Sequence, residues 1–309
     1  MKSILFTLFL LLIHQKAFSQ DITFVYDSVL KVGLENGIIQ KHCKTKGKKG
    51  KDGLKNGFWS EFSSYDQSVP LGGAGRPTYF KGEFLLCYEG NYEQGKRIGV
   101  WKNYLIENKT FKKIVLQEAN YKLNILEGEY KIFFNSGKLE SKCNYSNGKI
   151  VGEFLRYFES GELFSKVNYI DGRREGQLIV HYRSGKINEE FIYHNDSLNG
   201  PCTSYYPEGN VADKSVFING LREGDYFFYH ENGQLWVEQT YQKGLLYNIK
   251  SNFDAKGNPK EKGSLIDGNG TIYFYTEEGE LYLIKSYKDG VELIRKKMID
   301  SKVNFRHQN

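Results

Sequence analysis

The chain has 309 residues, 33 glycines, only 5 prolines, 15% aromatic residues and a formal charge of +6. Setting aside Lys2 and Lys16, which fall in the N-terminal segment described next, leaves about +4, too small a surplus to point to nucleic acid. A composition rich in rings and glycine and poor in proline suits many short strands joined by glycine turns and excludes a mainly helical chain.

Residues 1–19 read as a secretory signal peptide. Lys2 gives a positive start, Ile4 to Ile13 is apolar apart from Thr7, and Ala17-Phe18-Ser19 offers small residues where a signal peptidase reads. Cleavage is expected near Ser19 or Gln20. The apolar run falls short of the roughly 20 residues that a bilayer crossing needs, and no cysteine follows it to accept a lipid. The mature protein is therefore expected to be secreted or periplasmic.

Residues 20–56 form an expected N-terminal cap, with strand-like alternation in Ile22-Thr23-Phe24-Val25-Tyr26. Residues 57–127 carry two stretched repeats, starting at Gly57 and Gly99, each with a ring five residues on, Phe62 and Tyr104. The first is lengthened by residues 63–80, whose Pro70, Gly72, Gly73, Gly75 and Pro77 predict a loop. The second is lengthened around Asn108 to Lys113.

From residue 128 to 290 the chain holds seven regular repeats of about 24 residues, nine units in all with the two stretched ones. Start glycines recur at Gly128, Gly152, Gly176, Gly200 and Gly224, the series continuing with Asn248 and Gly270. A second set, Gly137, Gly161, Gly185, Gly209 and Gly233, lies nine residues later; a third, Gly148, Gly172, Gly220 and Gly244, twenty later. Such places call for positive φ. Three apolar columns stand between them. A hairpin-ring column (Phe133, Tyr157, His181, Tyr205, Tyr229) is followed by a return-leucine column (Leu139, Leu163, Ile187, Val211, Leu235) and a return-tyrosine column (Tyr145, Tyr169, Tyr193, Phe217, Tyr241).

Asn135-Ser136-Gly137 and Pro207-Glu208-Gly209 fit a three-residue hairpin loop, a type I turn closed by a left-handed glycine. That loop pairs hairpin ring with return leucine, and strict alternation then puts the return tyrosine on the same face. The second turn, Asn147-Gly148 or Asp171-Gly172, suits either two or three residues. A two-residue turn would demand a bulge in each unit, for which the odd spacing of Tyr130 and Phe133 is a candidate. Either way the expected fold is all-β: an elongated, single twisted antiparallel sheet of consecutive β-hairpin repeats, each unit needing its neighbour for burial. Residues 291–309 form a C-terminal cap or tail, and Lys296, Lys297, Lys302 and Arg306 would charge its edge.

The pattern Gly-x-Tyr-x-x-Phe-Phe-x-x-Gly-x-Leu, then Tyr-x-x-Gly-x-x-x-Gly, in Gly128 to Gly152 resembles the MORN repeat variant of the YwqK family of bacterial toxin-antitoxin antitoxins. The resemblance extends from Gly57 to about Gly290 and implies a MORN-like β-solenoid used for binding.

No catalytic, cofactor-binding or metal-ligating motif emerges. His42, His181, His194, His230 and His307 lack ligand spacing, and no nucleophile elbow, phosphate loop or Cys-x-x-Cys occurs. Glu129, Glu153 and Asp225 recur beside start glycines because the unit recurs, and read as solvated surface. Cys143 and Cys202 fall five strand steps apart, roughly 24 Å, too far for a disulfide, which needs Cα atoms within about 7 Å. Cys43 with Cys87 stays open as a pair. The candidate binding surface is the turn-ring row Phe134, Phe158, Tyr182, Tyr206 and His230, which points away from the hairpin rings. These features predict an exported, monomeric, non-enzymatic module that binds a protein partner. A glycan or envelope polymer stacked on the ring ladder is the alternative, and a membrane surface is disfavoured by the small charge.

Overall fold

The computed structural model describes residues 46–64, 84–107, 112–276 and 278–298. The expected signal peptide, the strand at residues 22–26, Cys43, most of the 63–80 insert, Lys302 and Arg306 lie outside them. All regular elements among the described residues are strands, and no helix there is long and apolar enough to cross a membrane.

Contacts divide the chain into Met1–Asn124 and Ile125–Asn309. The first unit holds β1 (Lys46–Lys49), β2 (Lys55–Ser64), β3 (Phe84–Glu93), β4 (Lys96–Glu107) and β5 (Lys113–Lys122), each antiparallel to the next. The second unit begins with β6 (Ile125–Phe133), β7 (Leu139–Ser146), β8 (Lys149–Tyr157), β9 (Leu163–Ile170), β10 (Arg173–His181) and β11 (Ile187–His194). It continues through β12 (Ser197–Leu198), β13 (Gly200–Tyr205), β14 (Val211–Ile218), β15 (Leu221–Tyr229), β16 (Leu235–Gln242) and β17 (Leu245–Asn252). These pair antiparallel in chain order, with β12 and β13 both against β11. A separate sheet of β18 (Gly270–Tyr275), β19 (Leu281–Lys288) and β20 (Val291–Lys297) closes the described chain.

The first turn is the expected three-residue loop. Gly137, at φ +83°, donates its N–H to the Phe134 carbonyl at 2.8 Å, and Phe134 donates to Lys138 at 2.8 Å. Hairpin ring faces return leucine throughout: Phe133 opposite Leu139, Tyr157 opposite Leu163, His181 opposite Ile187, Tyr205 opposite Val211 and Tyr229 opposite Leu235. The second turn has two residues. Asn147 and Gly148 take φ of 49° and 79°, and Asn219 and Gly220 take 50° and 82°, the left-handed pair of a type I′ turn that matches strand twist.

Two bulges per unit reconcile these turns. From Asn144 opposite Val151 to Lys142 opposite Leu155, β8 advances two residues further than β7, and Gly152 sits in the excess at φ +70° with open space where a Cβ would stand. This bulge falls at the start glycine, not between Tyr130 and Phe133. The second lies just after the return leucine: Phe133 faces Leu139 but Ile132 faces Ser141, so Glu140 is extra.

That single extra residue reverses the facing of the rest of the return strand. The expectation that hairpin ring, return leucine and return tyrosine share a face is therefore corrected. The tyrosine column belongs to the opposite, packed face, where Tyr145, Tyr169 and Tyr193 are 6%, 6% and 5% exposed, while Phe133, Tyr157 and Tyr205 stay half-buried. In the first unit the packed face is a ring stack: Trp59, Tyr92 and Trp101 meet edge to face at 6.1 and 4.9 Å. The unit expected at Asn248 departs most, because β17 is followed by irregular chain whose Leu265 is completely buried against Val237, Leu246, Ile249 and Ile272.

Candidate binding surface

Cations and carboxyls are threaded through the packed face. Two residues before the start glycine, Arg174 lies over the Tyr193 ring at 4.1 Å, and Arg222 lies over Tyr226 and Tyr241 at 4.6 and 5.0 Å. Arg97 repeats this over Trp101 at 4.5 Å in the first unit. The guanidinium is the cation suited to such stacking, being flat and weakly hydrated. Glu189 and Asp213 occupy the same place in successive units and are each 9% exposed. Burial, with the Asp213 charge added, pushes Glu189 up to about 7. Burial also raises Asp213, against the lowering effects of the Ser204 hydroxyl and Arg222. Cys143 and Cys202 are free and buried, as expected from their separation, and burial pushes both thiols up to about 12. Cys87 is likewise a free buried thiol, its pKa raised to about 11 chiefly by burial.

The turn rings rivet each unit to the next. Tyr182 donates its hydroxyl to the Tyr205 carbonyl at 2.6 Å, and Tyr206 donates to that of Tyr229 at 2.6 Å. His230 Nε2 donates to the Phe253 carbonyl at 3.1 Å while its ring stacks on Trp236 at 4.6 Å, leaving it 3% exposed. Phe158 packs edge-on against Phe164 at 5.1 Å, and Phe134 is half-buried. The opposite turns are stitched by backbone: Gly148, Gly172 and Gly220 donate to the carbonyls of Leu126, Ile150 and Leu198 at 2.9, 2.9 and 2.8 Å.

Sequence reasoning missed a set of caps on these turns. Glu127, Glu175 and Glu223, each one residue before a start glycine, accept the N–H of Asn147, Asn195 and Lys243 at 2.7, 2.9 and 2.6 Å. Their 48-residue recurrence, in alternate units, was the available signal.

The open face is different. Hairpin rings and return leucines there are half-buried, and beside them Val216, Ile218, Leu221 and Leu245 keep 43%, 50%, 49% and 47% of their surface exposed. Ile218 and Leu221 face each other across the turn, and Leu221 lies against the next turn glycine, Gly244, so these side chains form one patch. Charges elsewhere on this face meet in pairs, Lys131 with Glu129 at 2.7 Å, Lys166 with Glu153, and Lys250 with both Asp225 at 2.6 Å and Glu238 at 3.2 Å, whereas Lys214, two residues before Val216, has no ion pair among the described residues. Glu129, Glu153 and Asp225 are exposed surface residues, as the repeat predicts. Among the described residues no group of three or more His, Cys, Asp or Glu is placed to hold a metal ion.

No curated protein matches the chain. Residues 126–147, 150–171, 198–219 and 222–243 match the family described as MORN repeat variant. Each matched segment opens two residues before the start glycine and ends in the type I′ turn, and the intervening hairpin of β10 and β11 has the same ladder. These four segments are therefore similar to MORN repeats of the variant type.

Proposed function

We propose that the protein is a non-enzymatic binding module, exported after removal of its signal peptide, that holds a protein partner on the open face of its repeats. The carrying observation is the inequality of the two faces. One is filled by rings, cations and buried carboxyls, whereas the other leaves Val216, Ile218, Leu221 and Leu245 exposed in one patch. Exposed contiguous apolar surface of this kind marks partner sites. An antitoxin-like action, in which the bound protein is kept inactive, is the particular form that the YwqK resemblance suggests.

The test is affinity capture of the full-length secreted protein from its own cells, with mass spectrometry, beside the triple variant Val216→Lys, Ile218→Lys and Leu221→Lys. The reading expects a partner lost by the variant at unchanged melting temperature. Retention of every partner by the variant contradicts it. A glycan array run on the same material addresses the ladder alternative, which requires binding through the half-buried rings Tyr157, Tyr205 and Tyr229.

A further inference from the structure

Strand β20 ends the described chain with all seven of its residues exposed, and its apolar members are among the most exposed of the molecule: Leu293 at 60% and Ile294 at 62%. It pairs with β19 on one side, and no described strand lies on the other. Such an edge is a template for another strand unless something blunts it. The Met298 N–H donates to the Tyr282 carbonyl at 2.9 Å, so Met298, Lys296 and Ile294 turn their main-chain groups inward to β19. By alternation, Arg295 and Lys297 turn theirs outward.

The outward pair is cationic. Glu292, the acidic residue of the strand, is already committed to Arg295 at 2.9 Å and to Lys285 at 2.9 Å. Lys296 and Lys297 have no ion-pair partner among the described residues. A second copy of β20 pairing through these outward groups would set Arg295 and Lys297 against the same cations, and like charges directly opposite destabilise a ladder.

We infer that the outer edge of β20 accepts an extended, acidic segment of a partner protein as an added strand, with main-chain bonds to Arg295 and Lys297 and aliphatic contacts to Leu293 and Ile294. Main-chain pairing supplies the affinity and the alternating side chains the selectivity. The triple lysine variant described above changes no residue of this edge and therefore keeps it.

Fluorescence anisotropy on the full-length protein tests the site, with two labelled probes, an alternating valine-glutamate decapeptide and an alternating valine-lysine decapeptide. The glutamate probe is expected to bind and to weaken with added salt, and the lysine probe to fail. Lys297→Pro deletes an outward N–H and spares the inward ladder, so with circular dichroism unchanged it should weaken the glutamate probe about tenfold or more. Arg295→Glu with Lys297→Glu should reverse the preference. Equal binding of both probes, indifference to Lys297→Pro, or a concentration-dependent dimer lost on that substitution would each overturn the inference. So would a chain ended at Met298 that binds the glutamate probe where the full chain does not, because the edge would then belong to the protein's own C-terminal segment.

Discussion

At Gly90 any other residue would place a Cβ 2.4 Å from the Trp101 indole, whereas at Gly220, φ +82°, nothing stands within 4 Å of the added carbon. The two glycines are needed for different reasons, so they should fail differently. Gly90→Ala drives a methyl into a rigid ring and is expected to cost about 3 kcal/mol, while Gly220→Ala meets only the backbone strain of a left-handed residue, about 1 kcal/mol. Urea denaturation of both variants measures the contrast. Glu189 gives a second prediction at this scale. Its carboxyl titrates near 7 in the fold and near ~4.3 when unfolded. Between those values the folded chain holds the extra proton, so the contribution is complete below the lower value and is lost as pH rises through the upper one. Glu189→Gln should be neutral at about pH 4 and stabilising by roughly 3 to 4 kcal/mol at about pH 8, as read from thermal melts at both.

The hairpins were legible in the sequence because their turns are chemical. Glycine, asparagine and proline at fixed places predicted the three-residue loop and the facing of hairpin ring by return leucine, and both occur in the order expected. The bulges were legible only in part: a two-residue second turn demanded one in each unit, but its place at the start glycine and the second bulge after the return leucine were not foreseen. The one after the return leucine is occupied by Glu140, Phe164, Asn188, Ala212 and Trp236, which share no side-chain property, since a bulge there constrains backbone and not chemistry. Missing it reversed the tyrosine column. The turn rings stood out in the sequence as a row offered for binding, but sequence could not reveal that Tyr182 and Tyr206 reach the next unit's carbonyls. Tyr206→Phe removes one such bond and should lower stability by about 1 kcal/mol with the fold intact by circular dichroism, measured as a shift in denaturation midpoint.

For the whole molecule, burial is a property of the series and not of any hairpin. Each packed tyrosine is sealed by a ring, a cation or a turn from its own or the adjoining unit, and the irregular chain after β17 plugs the end of its sheet with Leu265. The functional proposal depends on this division into a sealed face and an open one. Hydroxyl-radical footprinting of the full-length protein, with modification read per residue by mass spectrometry, tests it directly. The account predicts slow modification of Tyr145, Tyr169 and Tyr193 and several-fold faster modification of Val216, Ile218, Leu221 and Leu245. Fast modification of the tyrosine column, with protection of that aliphatic patch in the isolated protein, would contradict it.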